Sequence, residues 1–461
     1  MSRFSSLLIF CALFWGSLSA NDSDSTYRHR TIDLGRSAFA LDYSAGGNLL
    51  AVAGQGAEVE LLLPLLGKSL KKLTGAHEDD VLALSFSPQD RLLASAGVDG
   101  KVVIWDVASA RPLRIMEGHK DYVIAVSWMP DGETLASASW DGKVIYWEPG
   151  TGKKIQESER HSDKLTGFAF SPDGKKYACS SADGMVHIFD AETMERIKSL
   201  EGHKDDVTNV KWSARSGLLA SCGWDNVSHI WNSKTGNQIN RLEGHKSDVN
   251  CISFSPDGTI LATSGSDRKL KIWDLPTGRE IANITDHAHD ADVEDIDFNN
   301  NGTQLATCSR DGKVKIWRVP SLEARLNAAI KTNMEDWKKR GMYEKTAEYE
   351  KRMKRSIRKA EDIRKELESQ LALFYETNVN WREGLTFRTY NADGEYFPLT
   401  SSLFGSLKVI VSTDDAPRVA EHLDKFEFRD LNLRVKNGRM ILRRFTAHSK
   451  ETKRNYRVEV L

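Results

Sequence analysis

Cysteine is scarce in this chain: five in 461 residues, one of them, Cys11, inside the apolar opening stretch. The other four, Cys179, Cys222, Cys251 and Cys308, fall in predicted strands at spacings that fit neither a zinc motif nor a dense disulfide framework. They read as small buried hydrophobes, with a bridge between neighbouring units as the alternative. An excess of charge of one sign is missing too. With 64 Lys and Arg against 65 Asp and Glu the formal net charge is −1, so overall electrostatics single out no nucleic acid or membrane partner. The chain also lacks a phosphate-binding loop and a persuasive cluster of metal ligands, and it offers no candidate cofactor site.

What the chain does have begins at its first residues. Arg3 supplies a positive start, Leu7 to Trp15 an apolar core, and Ser17-Leu18-Ser19-Ala20 the small residues a cleavage site needs. Polar Asn21-Asp22-Ser23-Asp24 follows. This order predicts an export signal over residues 1–20. Its core is too short for a permanent membrane helix, so the mature chain is expected to be periplasmic or secreted, with no integral span. Asn226, Asn283 and Asn301 open sequons that matter only where exported proteins are glycosylated.

From residue 77 the same unit returns. His77, His119, His161, His203 and His245 each stand 42 residues after the last (119 − 77 = 42). Trp105, Trp147, Phe189, Trp231 and Trp273 keep that step, and Trp317 follows 44 later (317 − 273 = 44). Asp99, Asp141, Asp183, Asp225, Asp267 and Asp311 march with them. One unit shows the pattern: an alternating run from Val123 to Trp128, a turn at Pro130-Asp131-Gly132, a second run from Thr134 to Ser139, a turn at Asp141-Gly142, and a third from Lys143 to Trp147. Short alternating strands punctuated by Gly, Asp and Pro read as an antiparallel meander. In the last unit, counting back from Trp317 selects His289 (317 − 289 = 28, as 105 − 77 = 28). His287 is then extra, and a solvated insertion is preferred there over a metal site. Residues 39–62 repeat the strands without the markers: Val52, Gly56 and Leu62 stand where Ser, Asp and Trp are expected.

A period near 42 that opens on Gly118-His119, Gly202-His203 and Gly244-His245 and closes on Trp105-Asp106 and Trp273-Asp274 resembles the WD-repeat (beta-transducin-like) family. The resemblance covers roughly residues 27–320. The fold class it gives is mainly β: a seven-bladed β-propeller over residues 21–320, its first blade degenerate, followed by a helical segment and a small α+β domain. It implies a buried chain of hydrogen bonds in each blade from Trp to Ser or Thr to His to Asp. Repeats two, three, five, six and seven have all four members. The fourth has Cys179 and Phe189 and is expected to be held by packing alone. The last blade is expected to borrow its fourth strand from residues near Tyr27 to Ile32, because an unclosed ring exposes strand edges. Ser137, His119 and Asp141 look like a hydrolase triad if met once, but a set that recurs in unit after unit is bracing.

Families of this architecture mostly bind partners at the narrower mouth. Carried over position by position, its lining comprises Val98, Trp140, Ala182, Trp224, Ser266 and Arg310 before the turn aspartates. Along the first strands it comprises Asp80, Leu82, Tyr122, Ile124, Lys164, Thr166, Asp206, Thr208, Asp248, Asn250, Asp292 and Glu294. One arc (Leu82, Val98, Tyr122, Ile124, Trp140) is apolar and aromatic; the opposite one (Asp206, Asp248, Asp292, Glu294) is acidic. The expected partner is a protein or peptide segment with an apolar or aromatic anchor and a basic flank.

Beyond Ser321 the apolar period lengthens to 3.6. Leu322, Leu326, Ile330 and Trp337 share one helical face, with Ser321 as cap and Gly341 as stop. Thr346 opens a longer helix with Tyr349, Met353, Ile357, Ala360, Ile363, Leu367, Leu371 and Phe374 on one face and a basic stripe on the other. The stripe reads as a solvated face rather than a site for nucleic acid or anionic lipid. Residues 321–376 form this helical segment and residues 377–461 a small α+β unit, with strands near 385–390 and 407–411, a short helix carrying Pro417, and an Asn437-Gly438 hairpin. The stretch from Trp337 to Arg352, with this sheet, is similar to a poorly characterised C-terminal module of exported Gram-negative bacterial proteins. The leading reading is an exported, non-enzymatic scaffold for protein–protein interactions in cell-envelope assembly. The alternatives are an enzyme with its site in the C-terminal module, and a surface adhesin for host protein or glycan.

Overall fold

The structure, a computed structural model, describes residues 29–460 other than 216, 277, 285–287, 321, 340–345, 379–385, 388–390, 392–395, 402–404, 413–414, 421–425, 437–438 and 450–452. The expected leader, Tyr27, Arg28, Ser321, Gly341 and the Asn437-Gly438 turn lie outside the described residues.

Residues 29–318 build seven four-stranded antiparallel sheets in a WD-propeller pattern. One unit shows why. Val123–Trp128 alternates buried and half-buried residues, so it runs along the inside of the ring with one face toward the core. Leu135–Ser139 is buried throughout, as are the first four residues of Val144–Glu148, because neighbouring sheets cover both faces. Lys153–Glu157 is the outer edge, and its lysines and glutamate keep that edge from pairing with another chain. Between the second and third strands Gly142 takes φ +79°, which a side chain would strain.

Each inner strand packs beside the next, and the last, Val293–Phe298, packs beside the first, Ala38–Tyr43. The first strand among the described residues, His29–Asp33, completes the seventh sheet by pairing antiparallel with Lys313–Arg318, His29 opposite Trp317. Carboxylates stitch the seam between seventh and first sheets. Asp295 accepts the Leu41 N–H at 3.0 Å and Asp297 the Tyr43 N–H at 3.1 Å. Asp42 makes the same kind of link from the first sheet to the second, accepting the Phe86 N–H at 2.6 Å. In the marker-poor first sheet Leu62 is fully buried opposite Leu50, so an apolar contact replaces the indole and its hydroxyl partner.

After the sheets come helices α1 (Leu322–Lys338), α2 (Thr346–Met353) and α3 (Ser356–Asn378). The apolar period predicts a single long helix from Thr346; the structure breaks it at Lys354 and Arg355, where Arg355 N–H donates to the Arg352 carbonyl in a tightened turn. Arg352 is drawn off the helix face over the rings of Trp337 and Tyr349, at 5.0 and 5.3 Å. Ile357, just past the break, is 77% exposed and not on the apolar face assigned to it, whereas Ile363 and Leu371 are buried. Arg364 ties α3 to α1 through both oxygens of Glu323 at 2.9 Å. Arg325 of α1 ties the helices to the sixth sheet through Thr259 at 2.8 Å and Asp257 at 3.3 Å. Asp257 sits in a turn between first and second strands, at the mouth opposite the turn aspartates. A six-stranded antiparallel sheet follows, with outer strands Thr386–Phe387 and Phe426–Lys436, and helix α4 (Ala416–Ala420) between its strands in sequence.

Candidate interaction surface

The polar markers are used inside the sheets. In the second, Trp105 donates its indole N–H to Ser95 Oγ at 2.8 Å, His77 Nε2 meets that hydroxyl at 2.8 Å, and His77 Nδ1 meets Asp99 at 2.9 Å. The third sheet repeats this with Trp147, Ser137, His119 and Asp141. The fifth uses Trp231, Ser221, His203 and Asp225, and the sixth Trp273, Thr263, His245 and Asp267. The seventh uses Trp317, Thr307, His289 and Asp311. Burial opposes ionisation of these aspartates, but the histidine and backbone N–H groups outweigh it and hold Asp99, Asp141, Asp225, Asp267 and Asp311 below the usual carboxylate range. The serines among them, Ser95, Ser137 and Ser221, are fully buried, so the surface gives no access to these hydroxyls.

The fourth sheet corrects the expectation of packing alone. Tyr177 stacks on Phe189 at 4.9 Å, and His161 meets Phe189 edge-on at 4.7 Å, so packing is part of it. Asp183 is nonetheless braced, by the Ser162 hydroxyl at 2.7 Å and by His187 Nε2 at 2.9 Å. His187 comes from the third strand, a source the Gly-His count could not reveal. Burial, with His187 and Arg196 nearby, pushes His161 down to about 4.

One local feature recurs at the mouth that carries the turn aspartates. Each inner strand carries a β-bulge at the same place: the ladder slips between Ala38 and Ala40, Val81 and Ala83, Val123 and Ala125, Leu165 and Gly167, Val207 and Asn209, Val249 and Cys251, and Val293 and Asp295. The extra residues are Phe39, Leu82, Ile124, Thr166, Thr208, Asn250 and Glu294. A bulge re-aims the side chain it frees. Just outside it, a backbone bond joins each pre-aspartate residue to the first-strand flank: Val98 to Asp80, Trp140 to Tyr122, Ala182 to Lys164, Trp224 to Asp206, Ser266 to Asp248 and Arg310 to Asp292, all at 2.9–3.1 Å. The seventh member of this set is Gln55 to Ser37, at 2.9 Å. Sequence reading missed Ser37, Phe39 and Gln55, because a repeat without His, Asp or Trp offers nothing to count from.

Several mouth positions are not free. Thr208 donates to the Val249 carbonyl at 2.6 Å and Asn250 to that of Val293 at 3.1 Å, each bracing the next sheet, and Thr166 does the same to Val207. Glu294, assigned to the acidic arc, is ion-paired with Arg310, which also lies 5.8 Å over the Phe39 ring. Tyr122 and Trp140 sit ring to ring at 4.8 Å, and Lys164 Nζ stands 4.3 Å above Trp140. Tyr122 is 37% and Trp224 50% exposed. Leu82, Val98, Ile124, Asp206, Asp248 and Asp292 are half-buried at the rim. Burial and the neighbouring Asp205 and Asp163 raise Asp206 above the usual range, the signature of a locally negative surface.

Inside the ring, Asp42, Asp295 and Asp297 form the acidic seam. Burial raises all three, Asp295 and Asp297 to about 6, with Asp297 also pushing on Asp42. Cys179, Cys222, Cys251 and Cys308 are buried free thiols. His287 lies outside the described residues. Among the described residues no helix is long and apolar enough to cross a membrane.

With this geometry in hand, the chain can be compared with known proteins. Residues 37–232 match the model of the IFT122 first beta-propeller, and residues 236–274 and 278–318 that of the WD domain, G-beta repeat. The chain therefore carries WD repeats. It is similar to DDB1- and CUL4-associated factor 10 of Homo sapiens, 36% identical over 95 residues, covering 20% of this chain and 16% of that protein. The Xenopus tropicalis and Danio rerio proteins of that name are each 38% identical over 69 residues, covering 15% of this chain and 15% and 13% of theirs. The matched segment spans about a sixth of the human relative's length, and what is shared is WD-repeat construction.

Proposed function

We propose that this chain is a non-enzymatic scaffold in which the seven sheets act as the blades of one closed propeller and the bulged mouth holds a protein or peptide segment. The observation that carries this is the row of bulges, one per sheet at the same rim, whose freed residues on three successive sheets, Phe39, Leu82 and Ile124, are apolar. Phe39, Leu82, Ile124 and the Tyr122–Trp140 pair offer an apolar, aromatic arc on successive sheets. Asp206, Asp248 and Asp292 offer negative charge across the ring, with Glu294 neutralised by Arg310. An aliphatic or aromatic anchor with a basic flank fits both arcs, and buried aromatic anchors dominate such interfaces. Among the described residues, α1 is anchored through Arg325 at the other mouth. The relatives' name, DDB1- and CUL4-associated factor 10, describes association with other proteins, which is the same class of role.

A peptide-display selection on the purified chain tests this. Enriched sequences should combine a Trp, Phe, Leu or Ile with nearby Lys or Arg. Trp140→Ala or Tyr122→Ala should weaken their binding by about 10-fold or more, as for loss of a hot-spot aromatic. Acidic consensus peptides, or unchanged affinity in both variants, would exclude this mouth.

We further propose that residues 1–20 direct export and that the scaffold works in the cell envelope, with residues 377–461 as a module of the kind found in exported Gram-negative proteins. Supporting this are the basic start, apolar core and small residues of the leader. N-terminal sequencing of protein from fractionated cells should find the chain outside the cytosol, beginning at Ala20 or Asn21. An intact Met1 in a cytosolic fraction would overturn it.

A further inference from the structure

One imidazole in the fifth sheet has more nitrogen than the fold uses. His229 lies in the third strand, two residues before Trp231, and stacks on that indole at 5.2 Å. It is 1% exposed. Its Nδ1 sits 2.9 Å from Gln238 Oε1, an acceptor, which places the proton on Nδ1 and leaves Nε2 a bare lone pair. Nε2 has no hydrogen-bond partner among the described residues. A buried polar atom without a partner costs about 1–3 kcal/mol.

The same position in neighbouring sheets is satisfied. His187 bonds Asp183 and Ser199, and Lys271 bonds Glu280 at 2.6 Å. In the fifth sheet the aspartate is already engaged by His203. The rings of His203 and His229 approach edge to face at 4.4 Å, and ligand atoms of His203, Asp225 and His229 all lie within 4.8 Å of one another. Two glycines adjoin them. A Cβ on Gly223 would come 3.1 Å from His203 Nδ1, and one on Gly202 3.5 Å from His229 Cε1.

We propose that His203 Nδ1, Asp225 and His229 Nε2 form a site for a borderline divalent metal ion such as zinc. Two imidazoles and a carboxylate suit that class. Ligands about 2.0 Å from a tetrahedral ion stand about 3.3 Å apart, so His203 and Asp225, already 3.0 Å apart, can stay and His229 has to close by at most about 1.5 Å. Gln238 then plays the outer partner that orients a ligating histidine. The metal replaces the proton that His203 Nδ1 gives to Asp225. That proton moves to His203 Nε2, which then donates to Ser221 Oγ, so a neutral imidazole ligates; a doubly protonated one does not, so affinity falls as pH is lowered. Ser221 and Trp231 keep their bonds to each other, and the brace survives with an ion in place of a hydrogen.

The test is calorimetric titration of Zn²⁺ into the full, chelator-stripped chain, with Co²⁺ absorption as a second readout. Expected are one equivalent of zinc and a tetrahedral cobalt spectrum. His229→Leu should weaken both by more than the ~10–100-fold typical of losing an outer-shell partner. His229→Gln is the second variant should His229→Leu disturb the near-ultraviolet circular dichroism. His287→Ala should change nothing. Absence of zinc binding by the wild-type chain, retention of it in the folded His229 variants, or its loss in His287→Ala would each overturn the proposal.

Discussion

At the scale of single residues, the same atom has opposite value in different sheets. The Ser137 hydroxyl satisfies both the Trp147 indole and His119. Ser137→Ala strands two buried groups and should cost about 2–5 kcal/mol in urea unfolding. Cys179 occupies the equivalent place beside Phe189, which has no N–H to offer. Cys179→Ser should therefore destabilise by about 1–3 kcal/mol, since it buries a hydroxyl where a thiol sits without cost. The seam makes a pH prediction. The folded values of Asp295 and Asp297, about 6, stand above the ordinary 3.8. Groups shifted up contribute stability that is complete below about 3.8 and lost as pH rises through about 6. The aspartates of the braces act in the reverse sense and lose their contribution only as pH falls below the usual carboxylate range. The seam alone thus gives a rise between pH 7 and 5, which His161, His229 and His289, held down to about 4, oppose as pH falls below about 6.5, so the seam is read from the difference between variant and parent. Asp297→Asn should remove much of that rise and gain on the order of 2 kcal/mol at pH 7.5, measured by thermal unfolding across pH.

At the scale of elements, the opening strand is the most exposed to test. His29–Asp33 covers the edge of Lys313–Arg318, and His29 packs on Trp317 at 4.4 Å. A chain beginning at Leu34 loses those ladder bonds and the burial of Ile32, about 3–5 kcal/mol. It should melt lower and self-associate in sedimentation; unchanged behaviour would mean the ring does not depend on that strand. This scale also shows what the sequence made legible. Units with a full marker set could be registered by counting, and that counting selected His289 over His287. The bulge positions of the first sheet escaped it, because Leu62 and Val52 carry no polar signature. His187 and His229 escaped for another reason: third-strand histidines look like any inward residue until the fourth strand shows what they face. The break after Met353 was hidden by an unbroken apolar period, since a basic side chain reaching for Trp337 leaves no mark in that period.

At the scale of the molecule, recurrent polar residues brace the sheets from within, and the proposed partner site is the bulged mouth. Enzyme-like sets of Ser, His and Asp are closed to substrate, and the acidic and aromatic arcs differ because no brace needs them. Indole hydrogen exchange, followed by nuclear magnetic resonance on tryptophan-labelled chain with and without a selected basic peptide, tests this most directly. Trp105, Trp147, Trp231, Trp273 and Trp317 should be strongly protected in both states, while Trp140 and Trp224 should exchange quickly alone and slow with peptide. Fast exchange at the five braced indoles, or no change at Trp140 and Trp224 on binding, would contradict it.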